Sequence, residues 1–229
     1  MAHSGNLDRE IAAVHAPYNS VMQWGIVAFL AVATLPELPK VNTSNFLPVV
    51  RTQIERAAAD AAAHPREAAP TAAFAMTLHA YQQYDTADRA YLRAHLLDPK
   101  NFDWIYLRGV AQMEDGQFEE AAKSLAAALL IHPGHLAAEV RLAEALMKTG
   151  MWEEAGARCS RVVASHPDCA QAWYGLGRAK SAQGDHAGAI EAYIKACDLF
   201  PRYGAAHFAL AGETDESLTM LRMSTRQYD

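Results

Sequence analysis

The sequence has few of the features that mark a disulfide scaffold, a disordered chain or a nucleic-acid-binding protein. It contains 3 cysteines and 10 prolines in 229 residues, and 51% of its residues are hydrophobic. Cys159, Cys169 and Cys197 are odd in number and form no CxxC pair, so no structural disulfide is predicted. A net charge of −6 without a long basic run argues against nucleic acid as a partner.

Long hydrophobic runs are also scarce. The uncharged run from Val21 to Ala33 would span about 20 Å as a helix, whereas a bilayer core measures about 30 Å, so no integral membrane span is predicted. The run has the length and the small-residue ending of an export signal, but Asp8 and Glu10 precede it where positive charge is expected. Two interpretations stay open. Either a signal peptide ends at Ala33 and the protein is exported or periplasmic, or the run is a buried or partner-binding helix of a cytoplasmic protein.

Alanine, by contrast, is abundant, with 47 residues in the chain. It is the strongest helix former and is depleted in strands, so a mostly α-helical protein is predicted. Half of the prolines follow Ala-rich apolar stretches and recur at every thirty-fourth position: Pro65, Pro99, Pro133, Pro167 and Pro201. Helices commonly end before a proline, and a fixed period of this length indicates a repeat architecture.

Other positions recur in register with these prolines. An alanine occupies the twentieth position of every unit: Ala87, Ala121, Ala155 and Ala189. Three units carry a glycine midway, at Gly116, Gly150 and Gly184. Glycine suits a tight turn between two helices because it readily takes positive φ, and alanine lets two helices cross closely. Each unit is therefore predicted to be a helical hairpin.

This pattern resembles the tetratricopeptide repeat, a 34-residue helical hairpin with small residues at the eighth and twentieth positions and proline at the thirty-second. The unit at 170–203 matches it at these residues: Trp173, Leu176, Gly177, Gly184, Ala189, Tyr193, Ala196 and Pro201. Three departures stand out. Gln82 replaces a turn glycine, Arg108 replaces an apolar residue and could shift the register of one helix, and Lys180 replaces a tyrosine.

The resemblance implies an all-α solenoid of stacked antiparallel hairpins, made of four repeats plus capping helices. The predicted segments are an apolar segment and linker at 1–45, an N-terminal capping helix at 46–67, four repeats at 68–101, 102–135, 136–169 and 170–203, and a partial repeat or capping helix with a tail at 204–229. Stacks of this kind need polar outer faces at their ends. Self-association through the ends of the stack is a further expectation.

In the resembled family, a concave groove lined by the first helix of each hairpin receives a protein or peptide segment. Carried over to this sequence, the partner-binding residues are His79, Tyr106, Val110, Met113, Glu144, Met147, Tyr174 and Arg178. Some family members clamp a C-terminal carboxylate with Lys and Asn in this groove. Those places here hold Ala72, Met76, Leu107 and Ala137, and only Arg141 matches, so this clamp is not predicted.

The sequence contains no recognisable catalytic or cofactor motif. It has no Walker loop, GxGxxG, GxSxG or HExxH, so no catalytic residue and no cofactor is predicted. His64, His132 and His166 each precede one of the periodic prolines, but stacked hairpins lie about 8–10 Å apart, too far to share one zinc ion. We therefore expect these histidines at helix ends, without metal.

Together these features predict a non-catalytic scaffold for protein–protein interactions, with a peptide or partner segment in the groove. The alternative is a substrate-recognition or regulatory arm of a larger enzyme, for example of the glycosyltransferase type, whose catalytic domain is absent from this chain.

Overall fold

The computed structural model describes residues 35–226, and the side chains of residues 35–215. This part of the chain forms ten α-helices and no β-strand. The helices are α1 (Pro48–Ala63), α2 (Ala68–Ala80), α3 (Tyr84–Leu97), α4 (Phe102–Glu114), α5 (Phe118–Ile131), α6 (Leu136–Lys148), α7 (Trp152–Ser165), α8 (Ala170–Ala182), α9 (His186–Leu199) and α10 (Gly204–Arg226). The predicted all-α fold is confirmed. The apolar run at 21–33, with its signal-peptide interpretation, lies outside the described residues.

The helices follow the period of the prolines without deviation. The first helices of the hairpins are α2, α4, α6 and α8, and the second helices are α3, α5, α7 and α9. Within each set, every helix begins one full repeat after its predecessor. Each helix packs against the next along the chain, and first helices of neighbouring hairpins also touch. The chain is thus the predicted solenoid of stacked hairpins. No helix in the described range is both long enough and apolar enough to cross a membrane.

The turn inside each hairpin has the same backbone hydrogen bonds in all four units. In the second unit Gln117 N donates to Gln112 O at 2.8 Å, and the corresponding bond of the first unit, from Gln83 N to Leu78 O, measures 2.9 Å. The residue before the donor takes positive φ, which is 76° at Gly116 and 59° at Gln82. The first turn therefore keeps the geometry of the others although a side chain occupies the left-handed position, which costs about 1–2 kcal/mol for a residue other than glycine.

Small residues allow the two helices of each hairpin to approach closely. A Cβ added to Gly109 would lie 2.7 Å from Leu125 Cγ, and one added to Gly177 would lie 2.5 Å from the Tyr193 ring. Ala155, at the twentieth position of the third unit, is fully buried. The close packing predicted from the recurrent alanine and glycine therefore holds at these crossings.

Arg108 does not shift the register of its helix. Its Nε donates to Asp88 Oδ1 of the preceding hairpin at 2.8 Å, and the Gln112 amide donates to the same oxygen at 2.6 Å. The expectation of a shifted helix is wrong, because a carboxylate at the matching place on α3 pairs with the guanidinium and leaves α4 on the common period.

Helix α1, the first of the described helices, carries a polar face. Where α3 has the buried residues Ala87, Ala90 and Ala94, the corresponding positions of α1 carry Gln53, Arg56 and Asp60, all exposed. The other face packs on α2 through Ile54 and Ala61. A polar face is what a capping helix needs, and the assignment of α1 as a cap stays a prediction.

At the other end, α10 begins as the first helix of a fifth unit and continues as one helix to Arg226. Glu213 of α10 is 7% exposed, and its carboxylate accepts hydrogen bonds from Ser181 and, at 2.8 Å, from His186 Nδ1. These contacts fasten α10 to both helices of the fourth hairpin.

Candidate functional site

A narrow slot between α6 and α8 brings together four of the eight predicted partner-binding residues. The slot has a volume of about 100 Å³, and the residues that line it are Val140, Glu144, Met147, Cys159, Gln171, Tyr174, Gly175, Arg178 and Tyr203. The predicted residues among them are Glu144, Met147, Tyr174 and Arg178. All four occupy positions of the first helices that the family resemblance assigns to the groove.

The floor of the slot is apolar and closely packed. A Cβ added to Gly175 would lie 2.8 Å from Cys159 Sγ and 3.1 Å from Met147 Cε, so glycine lets these two side chains pack closely against the α8 backbone. Burial raises the pKa of the Cys159 thiol to about 12. The thiol is therefore protonated at neutral pH and contributes an apolar surface, not a nucleophile.

The rim of the slot carries rings and one guanidinium group. Arg178 lies over the Tyr174 ring at 5.8 Å and over the Trp152 ring at 5.9 Å. The Tyr174 and Tyr203 rings are 5.0 Å apart, and burial raises the pKa of Tyr203. A site with an apolar floor and a polar, aromatic rim suits a ligand that places one apolar side chain in the slot and makes polar contacts at the rim.

A larger cavity of about 850 Å³ continues from the slot along α6. The two share Val140, Glu144 and Gln171, and the cavity is further lined by His132, Gly134, His135, Leu136, Ala137, Arg141, His166 and Cys169. Arg141 meets Glu144 at 3.8 Å, a long contact between side chains that are 43% and 42% exposed. The slot and the cavity together form one continuous depression on the third and fourth hairpins, here called the central groove.

Tyr106 belongs to a cluster of rings at the edge of the central groove. It stacks on Phe102 with a centroid distance of 5.2 Å, and His135 lies 4.4 Å from Phe102 and 5.5 Å from Tyr106. His135 also caps α6, since its Nδ1 accepts from Ala138 N. A neutral ring in this arrangement carries its proton on Nε2 and can donate to a ligand.

His79 lies apart from the central groove and is already engaged. Its Nε2 is 3.1 Å from Glu114 Oε2, and its Nδ1 is 3.4 Å from the Tyr91 hydroxyl. Its ring also meets Tyr84 edge to face. The structure therefore shows His79 in a contact between α2, α3 and α4 rather than in an open groove.

The remaining predicted residues differ in accessibility. Met113 is 9% exposed and belongs to the main core cluster, as does Met147 of the slot, which is 4% exposed, because the twelfth position of these first helices points between neighbouring hairpins. Val110 is half-buried. Met147 nevertheless reaches the slot from below.

Three further residues of this region are not among the partner-binding residues predicted from the repeat register. His132, His135 and Tyr203 come from the turns between hairpins, where the register gives no groove positions. The register itself could have found Phe208, which occupies the fifth position of the fifth unit, as Tyr106 and Tyr174 do in theirs. Phe208 is 83% exposed and prolongs the row of fifth-position residues onto α10.

Ser181, Glu213 and His186 form a cluster of a hydroxyl, a carboxylate and an imidazole group. In the Ser181, Glu213 and His186 cluster the carboxylate lies between the other two, so the imidazole does not act as a base on the hydroxyl. Within 35–215, no three His, Cys, Asp or Glu side chains are placed to share a metal ion.

The stacked hairpins define the class: a helical-repeat protein. Three tetratricopeptide repeat models match residues 73–138, 112–179 and 170–213, and so cover 73–213 together. The chain belongs to the tetratricopeptide repeat family.

Known relatives agree with this assignment. Human tetratricopeptide repeat protein 7B is 26% identical over 193 residues, covering 77% of this chain and 23% of the human protein. This chain thus spans about a quarter of the length of that relative.

Solved structures share the fold. YrrB, described as a TPR protein with an unusual peptide-binding site, superposes with a TM-score of 0.63 at 22% identity, covering 69% of this chain and 84% of YrrB. MamA from residue 41 to its end, from Desulfovibrio magneticus RS-1, gives 0.62 at 24% identity, covering 69% of this chain and 92% of that one.

Proposed function

We propose that this protein is a non-catalytic scaffold that binds an extended or helical segment of a partner protein in the central groove. The observation that carries this proposal is the slot, in which an apolar floor of Met147, Cys159 and Gly175 lies below a rim that contains Tyr174 and Arg178. Interfaces of proteins commonly place an apolar anchor residue of one partner in a pocket of this kind. The peptide-binding site of YrrB, which shares the fold, also supports the proposal.

Affinity in this proposal comes mainly from apolar burial. A volume of about 100 Å³ accepts one aliphatic side chain, and Tyr106, Val140 and Tyr174 offer rings and methyl groups at one position of successive hairpins. Phe208 continues the same row on α10. Tyr and Arg are among the residue types most enriched where binding energy concentrates.

Affinity capture with the purified protein as bait tests this proposal. Partners that the parent protein retains should be lost by the Tyr106→Ala/Tyr174→Ala variant, because both substitutions remove ring surface from the groove wall. Circular dichroism must show that the variant is folded. The matched control is Leu96→Ala/Leu130→Ala, which removes exposed apolar side chains from the second helices. Full partner retention by the folded groove variant would contradict the proposal.

A further inference from the structure

The arginines in partly buried positions fall into two groups. Arg51, Arg93, Arg108 and Arg158 donate hydrogen bonds to carbonyl or carboxylate oxygens of the protein. The guanidinium groups of Arg141 and Arg178 donate none to any described residue. Among the residues whose side chains the structure describes, Arg178 contacts two rings, and Arg141 contacts Glu144 at 3.8 Å.

These two cations lie at the central groove. Arg178 is on the rim of the slot, and Arg141 lines the adjoining cavity one hairpin earlier. His132, His135 and His166 line the same cavity, and Glu144 is the one carboxylate among its lining residues. Two arginines against one carboxylate make this a locally cationic surface in a chain with a net charge of −6.

The groove-facing positions of the first two hairpins have the opposite character. There the charged residues are Asp103 and Glu114, both exposed, and no lysine or arginine occupies those positions. At the same positions the third and fourth hairpins carry Glu144, Lys148 and Arg178, and Arg141 lines the adjoining cavity. The net charge along the groove thus changes from negative at the second hairpin to positive at the third and fourth. A charge gradient of this kind fixes the direction in which a charged segment can lie.

We infer that the bound segment is acidic where it crosses the third and fourth hairpins, with its side-chain carboxylates on Arg141 and Arg178 and an aliphatic side chain in the slot between them. This inference rests on the proposed groove function and adds the chemistry of the partner. Arginine suits this role because its planar group forms paired hydrogen bonds with a carboxylate. The rings of Tyr174 and Trp152 hold the Arg178 guanidinium group in place and so lower the entropic cost of binding.

The test uses the full chain and a set of 12-residue fluorescein-labelled peptides with amidated C-termini. The acidic probe alternates leucine and glutamate, and its twins carry glutamine or lysine in place of every glutamate. We expect the acidic probe to bind at least ~10-fold more tightly than the glutamine twin by fluorescence anisotropy, since one desolvated ion pair contributes about this factor. Amidation removes the terminal carboxylate, so any preference reports on side chains.

Charge variants of the protein locate the contact. Arg178→Gln and Arg141→Gln should each weaken binding of the acidic probe by about 5-fold or more, while Arg178→Lys should retain part of the affinity. The control is Arg161→Gln, which makes the same charge change on an exposed part of α7. Melting curves must show that the variants are folded.

Three outcomes would overturn the inference: no binding of the acidic probe, equal or tighter binding of the glutamine or lysine twin, or unchanged binding by both arginine variants. This failure is distinguishable from failure of the groove proposal. If partner capture depends on Tyr106 and Tyr174 but not on the two arginines, the groove is used and its partner is not acidic there.

Discussion

Arg108 of the second hairpin and Asp88 of the first form an ion pair across the boundary between two repeats, with 2.8 Å between Nε and Oδ1. The Arg108 side chain is 19% exposed and the Asp88 side chain 17%. Position seven of the repeat is otherwise apolar in this chain, so the pair replaces a hydrophobic contact with a charged one.

The first prediction concerns this pair. Arg108→Leu alone should lower the free energy of unfolding by about 2–4 kcal/mol, because it leaves the Asp88 carboxylate partly buried without its cation. The double variant Arg108→Leu/Asp88→Leu should be more stable than the single variant, since no uncompensated charge remains. Urea unfolding followed by circular dichroism measures both values. A double variant that is less stable than Arg108→Leu would contradict this reasoning.

The second prediction concerns the turn of the first hairpin. Gln82→Gly should stabilise the protein by about 0.5–1 kcal/mol, because glycine adopts the positive φ found there without steric strain. The converse variant, Gly150→Gln in the third hairpin, should destabilise it by a similar or larger amount. Thermal melts of the two variants provide the comparison, and a lower melting temperature for Gln82→Gly would count against the idea.

The third prediction concerns the close crossing of α6 and α7. Ala155→Leu should cost about 1–3 kcal/mol, because Ala155 is fully buried in the core cluster and extra methyl groups must displace its neighbours. Ala157→Leu, on the exposed side of the same helix, is the matched control and should change stability by less than about 0.5 kcal/mol. Equal effects of the two substitutions would show that the crossing is not closely packed.

The fourth prediction concerns alkaline pH. Burial, followed by the nearby Glu213 carboxylate, raises the pKa of Tyr193 to about 12, while tyrosine in an unfolded chain ionises near 10. Between these pH values the unfolded chain has released a proton that the folded chain retains, so stability falls as pH rises from about 10 to 12. Tyr193→Phe should reduce this fall. Urea midpoints at pH 9 and 11 for the two proteins measure the effect, and an equal loss in both would exclude Tyr193 as its cause.

The period of the prolines and the recurrent alanines predicted the repeat architecture because backbone turns and helix crossings impose the same requirement on every unit. Gln82 shows how strong that requirement is, since the turn forms there without its glycine. The Asp88 and Arg108 pair could not be predicted in this way, because it depends on how two side chains from different hairpins meet across a boundary.

The site was predictable to the extent that it follows the repeat register. The register named Glu144, Tyr174 and Arg178 as partner-binding residues, and the structure places all three at one slot. It gave no information on Tyr203 and His135, which reach the site from the turns between hairpins, or on the burial of Met113, which depends on the spacing of neighbouring hairpins. It also gave no sign that Glu114 would engage His79.

The regular period of the helices has a consequence for how such a chain can change in length. Since the first helices of successive hairpins begin at a constant interval, removal or duplication of one unit rejoins equivalent backbone positions and preserves the geometry of the junction. The units are nevertheless not interchangeable modules. Asp88 on α3 and Arg108 on α4 form an ion pair between the first and second units. A different order of the units would separate these two charged side chains.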